Sequence, residues 1–273
     1  MLGAAQLPEP ERIEVPVSYA FGPYRSLFPR GAVAHPAKAN VHLVERLLEL
    51  LSSPGDLVLD PFAGTFSTCV VAVLKRREAV GVEINPEYCS WGVEAARRAS
   101  AQAGRGFGII QGDAALVGTL LRGSSADAVA TSPPYVLSSL HAGDPSKRLG
   151  RVLRAGADPR EFFGGLARNA MRESSHRYDY YSLGRWIALM RAVLSGLCHT
   201  LRSGSLAAFI VRNRLRRGSL LELDSLLASL AREAGFSVEA LYVAPAPRSL
   251  WANLLSRRGI ELPREDRVVV LRR

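Results

Sequence analysis

Residues 57–68 read LVLDPFAGTFST, and the rest of the chain is organised around how this stretch folds. LVLD is a short apolar run closed by an acid, the pattern of a buried strand. It follows the breaker SSPGD at residues 52–56 and passes through Pro61 and Gly64 into an apolar run reaching about Lys75. That run reads as a helix. Upstream, ANVHLVERLLELL at 39–51 has helical apolar spacing. Downstream, EAVGVEI (78–84) reads as a strand and NPEYCSWGVEAARRAS (85–100) as a helix, with Pro86 in its first turn. GFGIIQGD (106–113) and DAVATSP (127–133) are the next strands. A helix resumes near Gly184, followed by the strand SGSLAAFIV (203–211) and the helix SLLELDSLLASLAREAG (219–235). FSVEALYV (236–243) and DRVVVLRR (266–273) close the chain as a hairpin-like pair. This alternation predicts an α/β, Rossmann-like fold: a seven-stranded, mostly parallel sheet with helices on both faces.

The 273 residues suffice for one large α/β domain. The pattern divides them into an N-terminal arm (1–30) and one domain (31–273) carrying an irregular insert at 136–183. No apolar run reaches the ~18 residues of a membrane span, and the N-terminus lacks the basic start and apolar middle of a secretory signal. Cys69, Cys89 and Cys198 are odd in number and widely spaced, against a disulfide framework or a cysteine-rich zinc site. The expectation is a cytoplasmic protein with no metal and no membrane partner. Lys plus Arg is 35 against 25 acids, a net charge of +10. Lys38, Lys75 and Lys147 are the only lysines. Such a balance fits a polyanionic partner such as nucleic acid. It also fits the arginine bias of a GC-rich genome, and charge alone leaves both open.

Two groups of residues carry chemistry. The first is Asp60-Pro61-Phe62-Ala63-Gly64, at the C-terminal end of a strand where ligands bind open α/β sheets. Glu83 ends the next strand, nineteen residues after Gly64, a spacing suited to a ribose-binding acid. Asp113 ends the third, placed to meet an adenine amine. Taken singly, Asp113 also suits a helix N-cap and Glu83 a loop cap. Together the three acidic strand ends point to an adenosine-containing ligand. Neither G-x-G-x-x-G after the first strand nor G-x-x-x-x-G-K-[ST] occurs. An adenosine ligand without a phosphate cradle points to S-adenosylmethionine.

The second group is Thr131-Ser132-Pro133-Pro134-Tyr135, at the end of the fourth strand. Thr131 counts with the cofactor edge. Prolines fix φ and donate no hydrogen bond, so the Ser132 hydroxyl and a fixed Pro133 carbonyl can accept both protons of an exocyclic amine. Tyr135 offers a face for stacking an extruded base. Two acceptors on the amine localise its lone pair for in-line attack on a sulfonium methyl, with proximity carrying much of the rate.

DPFAG followed by TSPPY resembles the amino-methyltransferase family that methylates N4 of cytosine or N6 of adenine in nucleic acids. The resemblance covers residues 30–135 and, more weakly, 184–273. It implies the class I methyltransferase fold and places His35-Pro36-Ala37 near the methionine end of S-adenosylmethionine. In that family Ser-Pro-Pro-Tyr is commonest for cytosine N4 and Asp-Pro-Pro-Tyr for adenine N6. The chain departs from the family in having Phe66 where a glycine is usual, and in lacking an evident large recognition domain. Methylation of cytosine C5 is disfavoured, because no Pro-Cys pair supplies the thiolate.

The insert interleaves basic and aromatic residues, among them Arg148, Arg151, Arg154, Arg177 and Tyr178. This mixture suits phosphate contact with base stacking, or a solvated lid. VRNRLRRG (211–218) sets four arginines around Asn213; Asn213 and Arg214 are candidates to line the same groove. The leading reading is N4-cytosine methylation of DNA. Ribosomal RNA is the nearest rival, followed by adenine N6 methylation, a non-catalytic nucleic-acid-binding module and a small-molecule methyltransferase.

Overall fold

A computed structural model of the protein describes residues 7–17, 21–35, 39–136, 180–216, 219–246 and 265–273, leaving out the side chains of 135, 180, 181, 215, 216 and 219. Pro36, Arg148, Arg151, Arg154, Arg177 and Tyr178 lie outside the described residues, as does the Tyr135 side chain.

The strands are β1 (Glu11–Arg12), β2 (Leu57–Asp60), β3 (Glu78–Glu83), β4 (Gly108–Gln111), β5 (Ala126–Thr131), β6 (Tyr135–Val136), β7 (Tyr180–Tyr181), β8 (Leu201–Val211), β9 (Arg214–Arg216), β10 (Ser219–Leu221), β11 (Ser237–Pro245) and β12 (Glu265–Arg272). Among the described residues the α-helices are α1 (Arg30–Ala34), α2 (Val41–Leu51), α3 (Ser67–Leu74), α4 (Pro86–Ala103), α5 (Val117–Leu120), α6 (Leu183–Thr200) and α7 (Leu223–Glu233). The main sheet runs β1-β11-β12-β8-β5-β2-β3-β4. Only β12 runs against its neighbours. Strand order reverses between β2 and β5, which are paired in parallel. This is the switch point where α/β sheets bind ligands.

Alternation along the strands splits the core in two. Val58, Ala128, Ala130, Ala208 and Val268 pack toward α2 and α3. Leu59, Val129, Ala207, Phe209 and Val269 pack toward α6 and α7, with Trp186, Met190 and Leu227. Helix starts follow local chemistry. Asn40 Oδ1 accepts from His42 N, and Asn85 Oδ1 from Glu87 N.

Among the described residues the main sheet has eight strands where the sequence pattern predicts seven. The extra one is β1, which pairs in parallel with β11. The N-terminal arm also buries Ile13, Phe21, Leu27 and Phe28 in the core. Two polar-flanked residues offer no periodicity from which β1 could be read. The helix expected from 219 begins at Leu223; residues 219–221 instead pair with 214–216. Among the described residues, no helix is long and apolar enough to cross a membrane.

The α3 start solves the problem set by Phe66. Phe66 takes the left-handed conformation (φ 62°) and is fully buried. Its ring lies where Gly81 and Gly92 leave room: a Cβ on either would come within 2.7 Å of ring atoms. An L-residue in this conformation costs roughly 1–2 kcal/mol, and burying the ring offsets it.

Candidate active site

The C-terminal ends of β2, β3, β4 and β5 open onto one cleft of about 940 Å³, its mouth included. His35, the Asp60–Gly64 turn, Glu83, Asp113 and Ser132–Pro134 all line it. The sheet thereby brings together residues that are far apart in sequence.

On the β2–β3 side, carboxylates are oriented by backbone amides. Asp60 Oδ1 accepts from Phe62 N (3.1 Å) and from the Thr131 hydroxyl (2.6 Å). Glu83 Oε2 accepts from Gly64 N and Oε1 from Asn85 N, each at 2.8 Å. The amides thus splay the Glu83 carboxylate across the turn, and each oxygen can accept more than one hydrogen bond. Asp113 Oδ1 accepts from Ala115 N at 2.9 Å, so this acid both caps a short 3₁₀ helix and faces the cleft. Burial pushes the Asp60 carboxyl up to about 6; the Thr131 and Thr68 hydroxyls and the Phe62 amide hold it back from going further. Thr131 is buried and bonded to Asp60 and is not among the residues of the cleft wall. Its structural part is to tie the Asp60–Gly64 turn to the strand that carries Ser132.

On the β5 side the corner has a different build. The Ser132 hydroxyl donates to the Ile210 carbonyl at 3.3 Å. The Pro134 carbonyl accepts from the Trp186 indole N–H at 3.0 Å. Beyond it, β6 and β7 pair in parallel, Tyr135 opposite Tyr180.

Sequence reasoning missed several participants. Tyr88 OH lies 2.6 Å from His35 Nε2, and Trp91 stacks on Tyr88 with ring centroids 4.9 Å apart. Tyr88 and Trp91 stand three apart on α4, which reads as ordinary helix packing. Trp186 and Ile210 are likewise concealed in apolar patterns. Asn213 takes a structural part: it is buried, and its Oδ1 accepts from Leu223 N (2.8 Å) and Asp224 N (3.3 Å) at the start of α7. Burial raises the Asp266 carboxyl against the lowering effect of Arg212, which donates to it, and of the Arg214 charge nearby. The cysteines do not supply a nucleophile at the cleft. Cys69 is buried and its thiol is pushed up by burial and the Asp60 charge. Burial and Glu83 push Cys89 up to about 11.

The cleft fits S-adenosylmethionine on charge. Asp60, Glu83 and Asp113 line it, and no Lys or Arg does among the described residues. A wall of acids without a cation suits a sulfonium and an ammonium and opposes a pyrophosphate. Gly64 (φ 51°) has nothing nearer than 3.9 Å where a Cβ would stand, so the backbone there is open to a ligand.

Comparison with known proteins finds likeness over part of the chain. Residues 22–94 match a family described as DNA methylase. The chain is 46% identical over 59 residues to the DNA adenine methyltransferase YhdJ of Escherichia coli (strain K12), covering 22% of this chain and 20% of that one. It is 38% identical over 68 residues to the orphan methyltransferase M.BamHII of Bacillus amyloliquefaciens, covering 25% and 26%. The matches thus span about a fifth to a quarter of these relatives. Among solved structures, TrmN from Thermus thermophilus aligns with 92% of this chain and 52% of that chain, at 17% identity and a TM-score of 0.49. The matched segment 22–94, which carries Asp60, the glycine turn and Glu83, is thus similar to DNA methylases.

Proposed function

We propose that the protein methylates the exocyclic N4 amine of cytosine in nucleic acid, with DNA the favoured polymer. The observation that carries this is the hydrogen-bond sense of the β5 corner. Pro133 and Pro134 have no N–H, and the Ser132 hydroxyl points its hydrogen at Ile210. The corner therefore offers acceptors: the Ser132 oxygen and a proline carbonyl. An amine with two hydrogens satisfies both acceptors. A base oxygen such as thymine O4 or guanine O6 meets lone pairs and is rejected.

Bound S-adenosylmethionine supplies an electrophilic methyl on a positively charged sulfur. The chain's part is to hold the amine against it. Ser132 and the Pro133 carbonyl accept the two N–H bonds and favour a pyramidal nitrogen. Tyr135 is assigned to stacking the base once it leaves its helix. Glu83 is assigned to the ribose, Asp113 to the adenine amine, and His35 with Pro36 to the methionine end. In this reading 31–273 is the methyltransferase domain. The 136–183 insert then contacts the target through Arg148, Arg151, Arg154, Arg177 and Tyr178, with Arg214 at the edge. Cytosine is favoured over adenine by Ser132 in place of an aspartate.

The test is incubation with methyl-labelled S-adenosylmethionine and equal masses of DNA, ribosomal RNA and transfer RNA, then digestion to nucleosides. The expected product is N4-methylcytosine, most abundant from DNA. Label on adenine N6 or on ribosomal RNA would replace the base or the polymer; label on cytosine C5 would overturn the chemistry.

A further inference from the structure

We propose that Trp186 is a positioning residue for the amine-binding corner: by holding the Pro134 carbonyl, its indole sets the direction in which the chain leaves Pro134 toward Tyr135. The inference rests on the corner's assignment as the amine site and adds what keeps it in shape.

A turn is ordinarily pinned by its own amide donors. Pro133 and Pro134 have none, and their φ angles are set by their rings. The freedom that remains is mainly ψ, and the ψ of a residue fixes where its carbonyl points and where the next residue goes. A hydrogen bond to the Pro134 carbonyl is therefore a direct hold on the torsion that swings Tyr135. The Trp186 indole makes that bond at 3.0 Å.

The anchor is rigid. Trp186 is 1% exposed and sits one turn into α6, an 18-residue helix whose Met190, Val193, Leu194 and Leu197 are also buried in the core. Ser132 is tied separately, to the Ile210 carbonyl on β8. The corner is thus held between a strand and a helix. The Trp186 N–H occupies one lone pair of the Pro134 carbonyl and fixes where that carbonyl points; the amine is assigned to Pro133 and Ser132. Neither bond touches the Gly64, Glu83 and Asp113 side of the cleft.

The test uses W186F, which keeps an aromatic ring and deletes the N–H, beside the wild type. Amide hydrogen exchange at Tyr135 and Val136 is expected to rise about fivefold, from loss of a bond worth about 1 kcal/mol, while exchange at Val58 and Leu59 stays unchanged. The methylation kcat is expected to fall about tenfold or more, with the KM for S-adenosylmethionine unaltered. Unchanged exchange at 135–136 would overturn the proposal, and so would equal losses of kcat and cofactor affinity. If W186F does not fold, benzothienylalanine at 186 places sulfur where the N–H was in a ring of the same shape, and the same outcomes apply. If the wild type methylates no base, the functional reading fails. The exchange comparison still decides Trp186.

Discussion

The two walls of the cleft are made by opposite means. On the β2–β3 wall, backbone amides converge on carboxylates: Phe62 N on Asp60, Gly64 N and Asn85 N on Glu83, Ala115 N on Asp113. On the β5 wall, two prolines have removed the amides, and a serine and a tryptophan from outside steady what is left. The first wall is anionic and suits a cation. The second is neutral and made of acceptors, which suits an amine. Within a chain of net charge +10, the cleft is acidic: in the proposed function, overall charge and site charge answer different needs, one a polyanion and the other a sulfonium.

The largest expected effect tests what supports the anionic wall. Phe66→Ala should lower stability by about 3–5 kcal/mol, since it empties the slot between Gly81 and Gly92. Phe66→Gly should fall short of that loss by about 1 kcal/mol, because glycine relieves the left-handed backbone. Denaturant titration of both variants compares them; equal stability would mean the conformation carries no strain.

Next in size is the pH response of Asp60. Its carboxyl is raised from 3.8 to about 6, so the folded chain keeps a proton that the unfolded chain has lost. The stabilisation is full below 3.8 and disappears as pH rises through about 6; it is worth about 3 kcal/mol. Unfolding free energy of the ligand-free protein should decline across that window, and Asp60→Asn should flatten the decline. S-adenosylmethionine affinity should rise over the same window, since a cation favours the ionised acid. His35, Glu83 and Asp113 share the cleft, which makes the Asp60→Asn control necessary. A wild-type curve that Asp60→Asn leaves unaltered would remove Asp60 from the account.

Ser132→Ala addresses the other wall. It should lower kcat about a hundredfold and leave S-adenosylmethionine binding by calorimetry unchanged; equal loss of both would erase the distinction between the walls. The smallest effect is expected from Glu83→Gln. One of its two amide bonds must be lost, because the carboxamide nitrogen cannot accept. Cofactor affinity should weaken about tenfold, with kcat at saturation little altered. Unchanged affinity would count against the ribose assignment.

Much of the fold and of the cleft is legible in local patterns of the chain. LVLD, EAVGVEI and GFGIIQGD form β2, β3 and β4 because buried parallel strands are short apolar runs bounded by breakers. TSPPY falls at the end of β5 because proline stops a central strand. Other features are hidden from such patterns. Thr131 reads as part of the motif, yet its hydroxyl bonds to Asp60 across two strands. Asn213 reads as an exposed loop residue among arginines, and it caps α7 ten residues on. Trp186 and Ile210 read as core, as they are, but their polar atoms reach the corner.

By itself, the sequence determined the element order, the acidic strand ends and the donor-free proline corner, because these depend on neighbours in the chain: apolar period, turn residues, the absent proline N–H. Only the tertiary structure decided that β5 lies beside β2, that Ser132 turns its hydrogen toward Ile210, that Trp186 holds Pro134 and that Phe66 fills the gap over Gly81. Those are contacts between distant segments, and they are set by how the sheet orders its strands and how side chains fill the space between layers. A local pattern encodes neither.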